Sequence, residues 1–330
     1  MKRTISLIAL TLICFVAGGQ AKINSLYTDF RTSFHQYTDD GVYGSQFKGD
    51  YFNFNLLGTI SPKLDYRIRQ QFSKKIFDER NMLNGTDFLY LNWKATERWS
   101  FLFGKHAVLI GGYEFDAAPI DVYYYSQFCN NIYQGFTFGA SAYYSITERQ
   151  KLVAQICNSP LSLGLETVFS YNLGWMGQFA PWWKTIWTCN FVEDPQRRMI
   201  NYISLGNHMQ WGGLLFDLDF MNRSGFTQER VLLSDITVIS KIIWSVGKWN
   251  ICAKGGYETN DPGNVDRNGR PYDLVIAPGT EYIYYGCGLE WFPLGRDNVR
   301  LHAVYYRDNA ANRHNFDLGL TWRVDIIRAQ

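Results

Sequence analysis

The chain has 330 residues, with 32 basic and 30 acidic side chains, and aromatic residues make up 17% of it. Near-zero charge argues against a nucleic-acid-binding surface, and no segment beyond the N-terminus holds the ~18 consecutive apolar residues of a spanning helix. An exported chain this rich in Tyr, Phe and Trp still has one route into a membrane, the closed β-barrel.

The chain opens with a leader. Lys2 and Arg3 form a basic start, residues 5–17 are apolar, and Ala17 and Gly19 are small. This is a secretory signal peptide over 1–19, with a cut after Ala21 as the alternative. Cys14 lies inside the apolar run behind bulky Ile13, which argues against lipidation. Removing Lys2 and Arg3 leaves thirty basic and thirty acidic residues in the mature chain, 20–330, read as one barrel domain. Its five Cys show no close metal-ligand spacing and read as small strand hydrophobes.

Strands follow in order. The first two run over 26–37 and 47–58, where Phe52, Phe54 and Leu56 alternate with Asn53 and Asn55. The strand at 64–72 puts Arg67 and Arg69 on one face. Strands at 88–95 and 99–105 carry Leu89, Leu91, Trp93, Phe101 and Phe103 on one side. After a long connection come 132–144, 151–157, 167–179, 184–192, 199–211, 214–223, 236–246, 249–259, 281–292 and 299–307. The last, 316–326, alternates Phe316, Leu318, Leu320, Trp322, Val324 and Ile326 with Asp317, Gly319, Thr321, Arg323 and Asp325. Period two means one dry and one wet face.

Short links (61–63, 96–98, 180–182, 212–213, 247–248, 295–298) alternate with long ones (38–46, 73–87, 107–131, 225–235, 260–280, 308–315). That alternation, and about sixteen strands at roughly nineteen residues each, predict an all-β, transmembrane up-and-down antiparallel barrel. Its place is the bacterial outer membrane, its partners outer-membrane lipid and small solutes or ions, with no cofactor, metal or nucleic acid. Trp99, Trp182, Trp183, Trp187, Trp211, Trp249, Trp291 and Trp322 sit near strand ends as an interfacial girdle.

The connection 104–131 is long and carries Val108, Leu109, Ile110, Tyr113, Phe115 and Tyr123–Tyr124–Tyr125, which a solvated loop does not need. It predicts a loop folded into the lumen as a constriction. Alternation also sends Arg67, Arg69, Asp217, Asp219, Arg223, Lys241, Lys254, Glu290, Arg300, Arg323 and Asp325 inward as a wet lining. The stretch from Asn264 to Gly269 mimics the start of a calcium loop, but Val275 stands where the closing Glu belongs, so it reads as an external turn. The five His are scattered, with no H-E-x-x-H, and no G-x-S-x-G occurs, so no enzyme is expected.

Gly104-Lys105, the Gly111-Gly112-Tyr113-Glu114-Phe115 turn, Pro119-Ile120-Asp121 and Tyr125-Ser126 together resemble the constriction-loop segment of phosphate-selective porin O and P-like barrels, and most of all the short porins of Bacteroidota. The resemblance implies a sixteen-stranded diffusion porin, commonly a homotrimer. It places Lys105, His106, Tyr113, Glu114, Asp116 and Asp121 at the constriction. Named members use a ladder of inward Arg and Lys for phosphate; here Lys105 stands beside Glu114, Asp116 and Asp121, which points away from phosphate selectivity. The expected function is passive diffusion of small polar or ionic solutes. A structural barrel of a larger assembly is the alternative, and a barrel enzyme a more distant one.

Overall fold

Side-chain alternation decides which way the molecule is turned out. The computed structural model describes residues 21–39, 41–73, 82–162, 167–295, 298–310 and 313–328; the leader predicted over 1–19 lies outside them. Along the strand Phe169–Ala180, Ser170 and Asn172 are buried, while Tyr171 and Leu173 are exposed, Leu173 at 55%. The same inversion recurs around the molecule, with polar groups inside and large apolar groups outside. Only a chain whose outer solvent is hydrocarbon is stable this way round.

Sixteen strands run in order: β1 (Lys22–Asp39), β2 (Val42–Ser61), β3 (Leu64–Gln71), β4 (Thr86–Lys94), β5 (Trp99–Ala107), β6 (Phe136–Thr147), β7 (Gln150–Asn158), β8 (Phe169–Ala180), β9 (Trp183–Glu193), β10 (Met199–Trp211), β11 (Leu214–Gly225), β12 (Asp235–Val246), β13 (Trp249–Asn260), β14 (Glu281–Trp291), β15 (Val299–Asp308) and β16 (His314–Arg328). Each pairs antiparallel with its neighbours, and β16 closes on β1 with Phe30 opposite Trp322. Closure satisfies every backbone ladder and leaves no edge in the bilayer. No described helix is long and apolar enough to cross a membrane. This is an outer-membrane barrel.

Short turns close one end, with Gly212 and Gly247 at φ 56 and 55 in two-residue links that only a left-handed residue completes easily. Both described chain ends, Lys22 and Arg328, lie at that end. Aromatic pairs ring it: Trp249 stacks on Trp291 at 5.8 Å and Trp182 on Trp211 at 5.3 Å.

Two expectations about connections change and a third holds. The link at 38–46 is mostly strand, because β1 and β2 continue pairing to Asp39 and Val42 around Gly41. The sixth strand begins at Phe136, because Ile132 is buried in an apolar cluster inside the lumen. The calcium-like stretch is a turn in which Asp266 Oδ1 accepts from the backbone N–H of Asn268 and Arg270, while Oδ2 lies 3.4 Å from Arg198.

Candidate pore constriction

The connection from β5 to β6 folds into the barrel, and wall side chains fix it at each step. Gly111 turns the chain at φ 80. Gly112 then lies flush against Gly206 and Asp219; a methyl there would meet the Asp219 carboxylate. The short helix α1 (Tyr113–Asp116) begins on that carboxylate, which accepts Tyr113 N–H at 2.9 Å and Glu114 N–H at 2.8 Å. A buried anion at a helix start satisfies donors with no partner in the helix itself.

The tip crosses the lumen next. Arg31 Nη1 donates to the carbonyls of Ile120 (3.0 Å) and Val122 (2.9 Å). Arg300 donates to Asp121 Oδ1 at 3.0 Å and to the Ile120 carbonyl at 2.9 Å. Tyr123 Oη donates to Glu290 at 2.7 Å and its ring lies 4.7 Å from His302. Tyr124 stacks on Tyr306 at 4.7 Å and donates to the Lys254 carbonyl at 2.9 Å. On the return, α2 (Gln127–Asn131) starts on Glu258, which accepts Gln127 N–H at 2.6 Å and Phe128 N–H at 3.0 Å.

Behind the loop sits its central lock. Glu114 is buried and accepts from Lys254 Nζ at 2.5 Å, Ser126 N–H at 3.0 Å, Ser126 Oγ at 2.5 Å and Cys129 Sγ at 3.0 Å. Burial opposes its charge, but Lys254 and these donors outweigh burial and hold the carboxyl below its usual range. Burial and the neighbouring Glu114 carboxylate push the Cys129 thiol well up, so it stays a neutral donor. Val108, Ile110, Phe128 and Ile132 pack against Tyr202, Met221, Ile239 and Ile276, an apolar core built inside a polar lumen.

The loop therefore lies against β10–β15 and leaves open space toward β2–β4, β8 and β9. That space holds about 620 Å³ and is lined by Arg31, Asp50, Tyr51, Arg67, Arg69 and Asp116, among others. Arg67 and Arg69 each place a guanidinium carbon 4.2 Å from the Phe88 ring centre. Arg69 Nε donates to Asp87 at 3.1 Å, while Arg67 Nε and Arg69 Nη2 have no hydrogen-bond partner among the described residues. Asp116 points into the same space from the loop; enclosure by the barrel raises its carboxyl, although it faces the opening.

The sequence-predicted residues divide by depth. Asp116, Arg67 and Arg69 border the opening. Glu114, Asp219, Lys254, Glu290 and Arg300 are wall-to-loop anchors, with Asp121 paired to Arg300 at the tip. Tyr113 packs on His208, whose Nδ1 lies 2.6 Å from Asp217, itself 2.7 Å from Lys241. Arg323 pairs with Asp29 at 2.6 Å, and Asp325 lies beyond the β15 pairing, 3.8 Å from Arg328.

Three residues stand elsewhere than expected. Lys105 is on the outward side of β5 with Phe101 and Phe103, because strand pairing continues regularly through it; its Nζ donates to the Leu83 carbonyl at 2.6 Å over Phe138. His106 does point inward but belongs to the wall network, with Nε2 2.7 Å from Ser141 Oγ. Arg223 is inward but fully buried between Asp235 (2.6 Å) and Asp273 (3.0 Å), closed off from open lining. Sequence reading missed Arg31 and Glu258; both share the inward parity of their strands, Arg31 with Asp29 and Ser33, Glu258 with Lys254.

No family model matches the sequence, and no curated protein does. Solved structures match its fold. An outer membrane protein of Vibrio cholerae, OmpT, is 11% identical with a TM-score of 0.61, covering 92% of this chain and 98% of that one. An anion-selective porin from Comamonas acidovorans is also 11% identical at 0.61, covering 92% and 100%. A further porin is 10% identical at 0.58. The chain shares the barrel of bacterial porins.

Proposed function

We propose that the chain is a passive porin, an open channel and not an enzyme, admitting small polar and ionic solutes through the space beside the inward loop. The observation that carries this is the opening of about 620 Å³, bordered on one side by Arg31, Arg67 and Arg69 and on the other by Asp116. A wall-anchored loop sets the size of the aperture, and the facing charges set which ions enter it. Arg31, Arg67 and Arg69 are countered by Asp50, Asp87 and Asp116, so discrimination between anions and cations is weak and phosphate is not singled out. The residues resembling O and P-like porins support membership in that broad group through the loop motif alone. A homotrimer is the expected assembly; one similar barrel, the Vibrio cholerae protein, is recorded in a trimer form.

The test is reconstitution into a planar bilayer under a salt gradient. Step conductances with a reversal potential near zero support the reading. A silent bilayer with correctly folded protein overturns it and leaves a plugged structural barrel.

A further inference from the structure

The connection 226–234 folds back over the outside of the barrel. Along β11, Met221 and Arg223 turn inward, so Asn222 and Ser224 turn outward, where two polar side chains would meet lipid. Both are nevertheless buried, because the connection covers them. Asn222 Nδ2 donates to the Val231 carbonyl at 2.9 Å, and its Oδ1 accepts Leu233 N–H at 2.7 Å. Leu233 holds φ 62, a left-handed conformation that a non-glycine residue rarely adopts. Asn222 thus keeps the segment in a shape it does not favour alone. Gln228 Nε2 draws the remaining polar groups inward, donating to the Arg230 carbonyl, Ser234 Oγ and Asn264 Oδ1.

What remains outside is apolar. Phe226, Leu232 and Leu233 are each more than 60% exposed, and Val231 stands beside them. In a loop facing water this one-sided arrangement would have no stabilising partner. Phe226 packs 6.0 Å from Phe191, which lies on the outward face of β9 opposite exposed Tyr171. The patch is therefore continuous with the lipid-facing belt of the barrel.

We propose that this flap is a lipid-contacting element: it lies in the outer leaflet and receives acyl chains on Phe226, Leu232 and Leu233. It converts a polar stretch of barrel wall, at Asn222 and Ser224, into apolar surface at the level of the membrane boundary.

Nitroxide labelling of the full chain tests this in phosphatidylcholine–phosphatidylglycerol vesicles, using a Cys287→Ala background whose residual labelling is subtracted. The ratio of oxygen to nickel-chelate collision rates reads depth. Leu232→Cys is expected to match Ile242→Cys on the outer wall and to exceed Asn268→Cys, in the external turn, several-fold. A ratio equal to that of Asn268→Cys overturns the proposal. So does a label immobile and shielded from both colliders, which would place a second copy of the chain on the flap. Adding Asn222→Ala is expected to lower the Leu232→Cys ratio toward the aqueous value, and an unchanged ratio would overturn the anchoring role of Asn222.

Discussion

Replacing Lys254 with Met tests whether the inward loop is held electrostatically. In the native arrangement the Lys254 ammonium and the Glu114 carboxylate are both largely buried, at 2.5 Å. Removing the cation leaves a buried carboxylate with only Ser126 and Cys129 as donors. Breaking one side of such a pair costs about 3–5 kcal/mol. The loop ends keep their own anchors, because Asp219 and Glu258 each accept two backbone N–H groups. Hydrogen bonds to charged groups contribute roughly 1.5–3 kcal/mol apiece, so those ends stay in place. The tip also keeps its anchors to Arg31, Arg300 and Glu290. Loosening is therefore confined to the stretch around Glu114, Tyr124 and Ser126 that Lys254 itself holds, and the ladder of the barrel is untouched. Single-channel recording of Lys254→Met should show added open-channel noise and brief excursions to higher conductance, with an unchanged unfolding transition. Adding Glu114→Gln removes the orphaned charge and should recover most of the quiet native trace, since neutralising both partners costs far less than removing one. A quiet Lys254→Met channel, or a double variant as noisy as the single one, would refute the electrostatic lock.

Acid should act through the same pair. The Glu114 carboxyl is held below its usual range, so its contribution is fully present above the unfolded value of about 4.3 and is lost as pH falls through the lower folded value; conductance noise should appear only below about pH 4, and a step centred near neutrality would contradict this. Asp116 titrates in the opposite sense: its raised carboxyl loses charge first on acidification, so the reversal potential should move toward anion preference before any noise develops. Asp116→Asn should reproduce that shift at neutral pH and Arg67→Gln should reverse it. A unit charge about 5 Å away in water is worth roughly 0.8 kcal/mol, or up to about fourfold in local ion concentration before screening. Deleting residues 111–125 should raise unitary conductance, measured in the same bilayers, while the barrel still resists denaturation in detergent.

The strands were legible because lipid on one side and water on the other force a strict period of two, and sixteen segments repeat it. In β16, Phe316, Leu318, Trp322 and Ile326 all lie on the exposed side, as alternation requires. Alternation also gave the inward direction of Arg67, Asp219 and Lys254. What it does not encode is depth, or what an inward side chain meets. Arg223 and Arg67 share one parity, yet one is sealed between two aspartates and the other borders open space, because connections from elsewhere in the chain cover the first. Lys105 misled for a related reason. A lysine next to a loop motif reads as part of the loop, whereas strand pairing carries on through it and turns it outward. Asn222 shows the same limit: its outward direction is plain, but the fold of 226–234 over it depends on its two hydrogen bonds.

A barrel turned inside out has no apolar core of its own, and the inward loop supplies one. Phe128, Ile110 and Val108 meet Tyr202, Met221 and Ile276 in a buried cluster, and Val108 and Ile110 also border the open space beside the loop. Around that cluster the wall offers carboxylates to backbone N–H groups at α1 and α2, and guanidinium groups to carbonyls at the tip. Each end of the loop thus meets the charge its exposed backbone lacks. The loop is consequently a small folded unit docked within a larger one, with its own stabilising contacts. From that separation we expect single substitutions at Lys254 or Asp116 to change permeation without disturbing assembly: the ladder that closes β1 on β16 shares no hydrogen bond with the lock at Glu114.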